Sequence, residues 1–244
     1  NVQQLLLFEG RGPVTGIGNG LDTLITGNSL GNLLQGGGGN DTLVGGGGDD
    51  TLQGGAGNNS IDGGTGTNIL DFASATGGVS ASLVTGQIAD NGSGGSDTFV
   101  NVQGFGGSGF HDVLTGDGGD NRLDGAGGDD LLDGAGGNDS IQGGGDNDTL
   151  LGGAGNNSLD GGIGTDTVDY SAAASPIDLN FAAHVVSQNG FGGSDSIRNT
   201  EGAIGTAGND TFESSFGGAD TLQGGAGDDN YWTMAAGTAV VEGV

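Results

Sequence analysis

The chain has 244 residues, 62 of them Gly, with 31 Asp plus Glu against three Arg (Arg11, Arg122 and Arg198) and a formal net charge of −28. Without Cys or Lys, it holds no disulfide, thiolate metal centre, Cys nucleophile, Schiff-base lysine or Lys-bearing phosphate loop. The charge opposes nucleic acid and anionic lipid, no apolar run approaches membrane-spanning length, and the Gly does not follow the Gly-X-Y period of collagen.

The chain starts at Asn1 without Met or a signal peptide and reads as a piece of something longer. Residues 1–17, with Val2, Leu5, Leu6, Leu7 and Phe8, read as the end of a preceding coil. From Gly18 the sequence repeats every nine residues. Two loose units, GNGLDTLIT and GNSLGNLLQ, lead into GGGGNDTLV, GGGGDDTLQ, GGAGNNSID and GGTGTNILD, ending at Asp71. Another array runs from GSGFHDVLT at Gly107 to GGIGTDTVD at Asp169, and further units start at Gly205, Ser215 and Gly224. Such repetition is the signature of a solenoid.

A longer period of 98 residues overlies the short one: GGAGNNSID at 54–62 returns as GGAGNNSLD at 152–160, and GGSDTF at 94–99 as GGSDSI at 192–197. One module covers 18–115 (repeats 18–71, insert 72–106, repeat 107–115). The next covers 116–213 (repeats 116–169, insert 170–204, repeat 205–213), and 214–244 starts a third copy or a cap.

The consensus is G-G-x-G-x-D-x-U-x, with U apolar. The first six positions are turn chemistry, and Gly there allows positive φ and close backbone approach. The last three form a minimal strand whose position eight points inward and whose positions seven and nine point out. The expected core is therefore a row from Leu34, Leu43 and Leu52 through Leu132, Leu150 and Val168. One large apolar side chain per nine residues gives little burial against the entropy of a Gly-rich chain, so the repeats are expected to need a ligand to fold.

Position six carries Asp or Asn almost throughout. Asx suits turns, yet turn propensity does not explain one fixed, stacked position. Carboxylates one strand spacing apart repel and call for cations between the rungs. Carboxylate and carbonyl oxygens suit Ca²⁺, whereas zinc or copper would want Cys or more His than His111 and His184.

These units resemble the RTX, or hemolysin-type calcium-binding, repeats of secreted bacterial proteins. The resemblance implies an all-β parallel β-roll solenoid of calcium-binding nonapeptides, interrupted by short irregular β inserts and filled with multiple Ca²⁺ ions. It implies that position-six Asp bridges neighbouring ions, with turn carbonyls completing the shell. Carried over by position, the ligands are Asp41, Asp50, Asp112, Asp130, Asp139, Asp148, Asp166, Asp210, Asp220 and Asp229. Asn32, Asn59, Asn68, Asn121 and Asn157 offer oxygen without charge and are expected to be weaker, and Thr23 stands at position six of the first unit. Asp112, Asp130, Asp148 and Asp166 form an uninterrupted column with stronger expected binding than Asn121, Asp139 and Asn157. Asp146 replaces Gly at position four and is expected to distort its turn or add a ligand.

The inserts carry strand signals: Val79, Ala81 and Leu83, a turn at Thr85-Gly86, then Gln87 to Ala89, matched by Ile177, Leu179 and Phe181. They read as calcium-free bracing coils, with Phe72, Phe99, Phe105, Tyr170, Phe181 and Phe191 as large core residues. Tyr231, Trp232, Val240 and Val241 read as another insert or an aromatic cap. His111 is a turn residue and His184 an insert-strand residue, no G-x-S-x-G or H-E-x-x-H occurs, and the segment is expected not to be an enzyme.

The resemblance places the chain outside the cell or on the bacterial surface, reached by type I secretion. The expected role is a calcium-folded structural or adhesive segment of an adhesin, surface-layer or filament protein. The alternative is a non-catalytic accessory region of a secreted enzyme or toxin. The expected partners are calcium ions and neighbouring copies of itself or a cell-surface or matrix partner, with no nucleic acid and no membrane insertion.

Overall fold

The computed structural model describes residues 3–10, 12–215, 219–233 and 236–242. Val2, and Phe216 to Gly218 of the unit that starts at Ser215, lie outside the described residues. All regular structure among the described residues is β, and the chain divides into two compact units, Asn1–Gly116 and Asp117–Val244. Each unit is a parallel β-solenoid in which successive short strands fall alternately into two sheets.

In the first unit one sheet runs from Gln4–Leu6 through Leu24–Thr26 and Thr42–Val44 to Ser60–Asp62, all parallel. The other runs from Thr15–Asn19 through Leu33–Gly37, Thr51–Gly55 and Ile69–Asp71 to Gly104–Gly106. The second unit repeats the plan with Arg122–Gly127, Ser140–Gly145 and Ser158–Ile163 in one sheet and Leu131–Asp133, Thr149–Leu151 and Thr167–Asp169 in the other.

The register pairs position eight with position eight. Leu34 lies against Leu52 and Ile25 against Leu43 in the first unit; Leu123 lies against Ile141 and Leu132 against Leu150 in the second. These side chains are fully buried, so each rung buries one apolar side chain per sheet. Outward positions hold polar ladders: Gln35 Nε2 donates to Gln53 Oε1 at 2.6 Å, and Gln53 Nε2 to Asp71 Oδ2 at 2.7 Å.

Each insert is an antiparallel hairpin set into a parallel sheet. Ser80–Ser82 pairs with Gln87–Asp90, which pairs with Asp97–Val100, which rejoins Ser60–Asp62 in parallel. Ile177–Asn180, Val185–Asn189 and Asp195–Arg198 do the same beside Ser158–Ile163. Phe72, Phe99, Phe105, Tyr170 and Phe181 are core residues, but Phe191 is 37 % exposed. It lies beyond the hairpin, beside Leu151 and Ala172 in a shallow groove, at the place Ser93 holds in the first copy. His184 stands in the hairpin turn rather than in a strand, exposed and at φ 58°.

The C-terminal strands continue the roll instead of starting a hairpin. Asn230–Trp232 pairs in parallel with Thr211–Glu213, and Ala239–Glu242 with Thr221–Gly225. Tyr231 stacks on Phe212 with ring centroids 5.4 Å apart, while Trp232 is exposed.

Position one lies two residues after position eight, so it also points inward. A Cβ on Gly143 would strike Asp148 Oδ2 and the Gly161 carbonyl, whereas one on Gly118 would meet nothing. Gly143→Ala is expected to cost about 1–3 kcal/mol in calcium-saturated thermal unfolding, and Gly118→Ala to stay within about 0.5 kcal/mol.

Candidate metal centre

The inward alternation that buries position eight also buries position six, two residues earlier. Asp41, Asp50, Asp130, Asp139, Asp148 and Asp166 are each no more than 2 % exposed. One oxygen of each inward side chain continues the strand ladder by accepting the position-six N–H of the coil before. Thr23 N–H donates to Asp41, Asn32 to Asp50, Asp41 to Asn59 and Asp50 to Asn68 at 2.7–3.0 Å. In the second unit Asn121 donates to Asp139, Asp130 to Asp148, Asp139 to Asn157 and Asp148 to Asp166 at 2.8–2.9 Å.

The second carboxylate oxygen divides the predicted residues into two groups. Oδ2 of Asp41, Asp50, Asp139, Asp148, Asp166 and Asp229 is buried with no hydrogen-bond donor. The inward Cβ positions of Gly36, Gly45, Gly134 and Gly143 are each taken up by this oxygen on one side and by a carbonyl of the next coil on another, that of Gly54, Gly63, Gly152 and Gly161 respectively. Asp130 Oδ2 and the Gly143 carbonyl crowd the Cβ position of Gly125 in the same way.

Asp112, Asp210 and Asp220 are built differently. Ser108 gives its N–H to Asp112 Oδ2 (2.6 Å) and its hydroxyl to Oδ1 (2.8 Å). Thr206 does the same for Asp210, and Ser215 for Asp220. The expected column of Asp112, Asp130, Asp148 and Asp166 is therefore not chemically uniform.

The backbone at position two separates the groups. Gly37, Gly46, Ala126, Ala135, Gly144, Gly162 and Gly225 all have positive φ there, and four residues on the Asp Oδ2 has no donor or, at Asp130, crowds the inward Cβ position of Gly125. Ser108 and Thr206 do not have positive φ, and their N–H groups point at the carboxylate. Asp146, at position four, adopts φ 70° and so takes the glycine conformation without distorting the turn; its Oδ2 accepts Gly128 N–H at 3.3 Å.

At Asn59, Asn68 and Asn157 the ladder bond claims Oδ1, so the amide nitrogen stands where Asp presents Oδ2. Asn32 and Asn121 accept the position-two N–H of Asn28 and Asp117, and return an amide N–H to those side chains at 3.2 Å. The amide thus presents a donor where Asp presents an acceptor.

Sequence reasoning missed the ladder's continuation into the inserts. Asp97 and Asp195 accept Asn59 N–H and Asn157 N–H at 2.8 and 2.9 Å, and Gln103 and Glu201 serve Asn68 and Asp166. The signal was the shared GGSD of 94–97 and 192–195, a repeat turn without its full spacing. Position five was also missed. Asp22, Asn40 and Asn58 accept N–H groups from the coil after, at 2.7–2.9 Å, as an exposed ladder of opposite direction.

Among the described residues no three His, Asp or Glu side chains gather at one point. A cation here would be held by carboxylate oxygens of the column and by backbone carbonyls, a hard-oxygen set that suits calcium. Burial raises the carboxyls of Asp41 and Asp166 above the usual 3.8, those of Asp50 and Asp148 to about 6, and that of Asp139 to about 7. The ladder N–H opposes each rise, and neighbouring carboxylates add to it.

The RTX calcium-binding nonapeptide repeat matches in four copies, at residues 35–70, 106–141, 133–168 and 204–234, together more than half of the chain. The chain belongs to the RTX calcium-binding nonapeptide repeat family. No curated protein matches it. As an RTX repeat region it is a calcium-binding structural segment, and the donor-less carboxylate oxygens of Asp41, Asp50, Asp139, Asp148, Asp166 and Asp229 lie inside the matched stretches, while that of Asp97 lies in the insert between them.

Two outcomes follow from these carboxyls. Their folded pKa lies above the unfolded value, so their contribution to stability is present below about pH 4 and is lost as pH rises through 6 to 7. Metal-free RTX chain should therefore gain strand content on acidification from pH 8 to pH 4 by roughly the span of these titrations, read by circular dichroism in chelator. Around the insert carboxylate the two copies also differ by one hydroxyl: Tyr170 donates to Asp195 Oδ2 at 2.9 Å, while Phe72 leaves Asp97 Oδ2 without a donor. Tyr170→Phe should cost about 1–3 kcal/mol and Phe72→Tyr should raise the thermal midpoint.

Proposed function

We propose that this chain is a calcium-folded structural or adhesive segment of a secreted bacterial surface or extracellular protein. The observation that carries the reading is the row of buried Asp Oδ2 atoms with no donor, each on the inner face of a coil. A charge buried without partner or counter-ion destabilises a fold, and this core repeats it at Asp41, Asp50, Asp139, Asp148 and Asp166. Calcium between the rungs would neutralise Asp41, Asp50, Asp130, Asp139, Asp148, Asp166 and Asp229 with help from turn carbonyls. Asp112, Asp210 and Asp220, already held by Ser or Thr donors, would depend on the ion less.

Coupling of ion binding to folding suits passage through a secretion channel as an unfolded chain and folding where calcium is abundant. The 98-residue module, which recurs without change of plan, suits a spacer extended by copying. Further copies in the parent protein support the spacer or adhesin; an adjoining catalytic domain would make this an accessory region instead.

Calcium titration of the chain tests the reading. Strand content should be largely lost in chelator and restored in millimolar Ca²⁺. Asp148→Asn with Asp166→Asn should lower the number of bound ions and shift the folding midpoint to higher calcium. Equal strand content with and without the ion would sink the proposal.

A further inference from the structure

Cations are not the only way this fold closes a coil. In each insert one buried Asn reaches three oxygens at once. Asn91 Nδ2 lies 3.1 Å from Gly55 O, 3.0 Å from Gly57 O and 3.2 Å from Asp97 Oδ1. Asn189 Nδ2 lies 3.5, 2.9 and 3.1 Å from Gly153 O, Gly155 O and Asp195 Oδ1. An amide carries two hydrogens, so three converging acceptors are more than it needs. Two turn carbonyls and a carboxylate are the donor types a hard cation takes. The amide's direction is fixed, because Asn91 Oδ1 accepts Ser93 and Gly95 N–H, and Asn189 Oδ1 accepts Phe191 and Gly193 N–H.

The repeat that follows each insert is closed from the other side. Ser108 and Thr206, at position two, cap Asp112 and Asp210 with N–H and hydroxyl. The second insert adds the Tyr170 hydroxyl on Asp195.

We propose that residues 170–213 are an ion-independent joint and residues 72–115 the same joint short of one donor, at Asp97 Oδ2; Asn91 and Asn189 occupy the place of a cation, and Ser108 and Thr206 close the next carboxylate. Each joint carries its own neutral donors, and calcium demand is confined to the repeat arrays and to Asp97, which lacks the hydroxyl donor. The inference rests on the reading that unpartnered carboxylates of the arrays take calcium.

Counting bound calcium on the whole chain by equilibrium dialysis, with thermal unfolding alongside, tests it. Asn189→Asp turns the central donor into an acceptor among acceptors, and Thr206→Gly permits positive φ and removes the cap. Each should bind one ion more than the parent and recover its thermal midpoint in saturating calcium. Asn189→Ala should leave the count unchanged and lower the midpoint. Asn91→Asp and Ser108→Gly repeat the experiment in the other copy, should a variant fold poorly. Unchanged counts in Asn189→Asp and Thr206→Gly, with the parent binding calcium, overturn this inference alone. The same holds if Asn189→Asp, Thr206→Gly, Asn91→Asp and Ser108→Gly all lose strand content at every calcium concentration. A parent chain that binds no calcium overturns the functional reading and this inference with it.

Discussion

The structure turns on a carboxylate placed inside a core that is one side chain thick. Alternation puts positions six, eight and one on the same inward face, so each coil buries polar position-six side chains, most often Asp, beside its apolar residues. A buried charge must be matched, and in this chain the matching group is local. Where Ser108 or Thr206 stands at position two, a backbone N–H and a hydroxyl match it. Where an Asn replaces the Asp, the charge is absent and an amide donor fills the space. Where an Asp follows a position-two Gly or Ala at positive φ, its Oδ2 shares the inward space with turn carbonyls instead of taking a position-two N–H. Under the proposed function, folding and ion binding would be one process for those coils, because no position-two donor serves their carboxylates.

The glycines of the repeat serve different ends. Position one is Gly because the inward space it would fill already holds Asp Oδ2 and a carbonyl, as at Gly36 and Gly134. Position two is a matter of backbone sign. Ala126 and Ala135 hold φ 74° and 65° there despite their Cβ atoms, at a cost of order 1 kcal/mol each. That the sign persists against this cost indicates that the turn, rather than glycine's freedom, sets the conformation.

The core row was legible because a nine-residue period leaves one apolar position and strand alternation gives it a direction. The same alternation, carried two residues back from Leu150 or Val168, would have placed Asp148 and Asp166 inside; reading position six as turn chemistry hid this. The inserts were legible as strands, yet Asp97 and Asp195 were not legible as rungs, because their turn borrows donors from Asn91 and Asn189 and so breaks the spacing. Phe191 looked like core by composition, but its loop stands outside the hairpin. The split of Asp112 and Asp210 from the other ligands was written in Ser108 and Thr206. Its meaning depends on the sign of a dihedral that residue type alone leaves open.

Two copies of one module in one chain make a controlled comparison. Asp97 and Asp195 share the ladder bond, the amide contact and the hairpin, and differ at Phe72 against Tyr170. Burial and the adjacent carboxylate hold the Tyr170 phenol protonated, so it can only donate to Asp195. The first copy therefore buries one acid oxygen that the second has matched, within the same backbone. A solenoid tolerates such a difference because each coil answers only to its neighbours. Under the proposed function, single side chains would set ion demand coil by coil, while apolar row and register remain those of every other repeat.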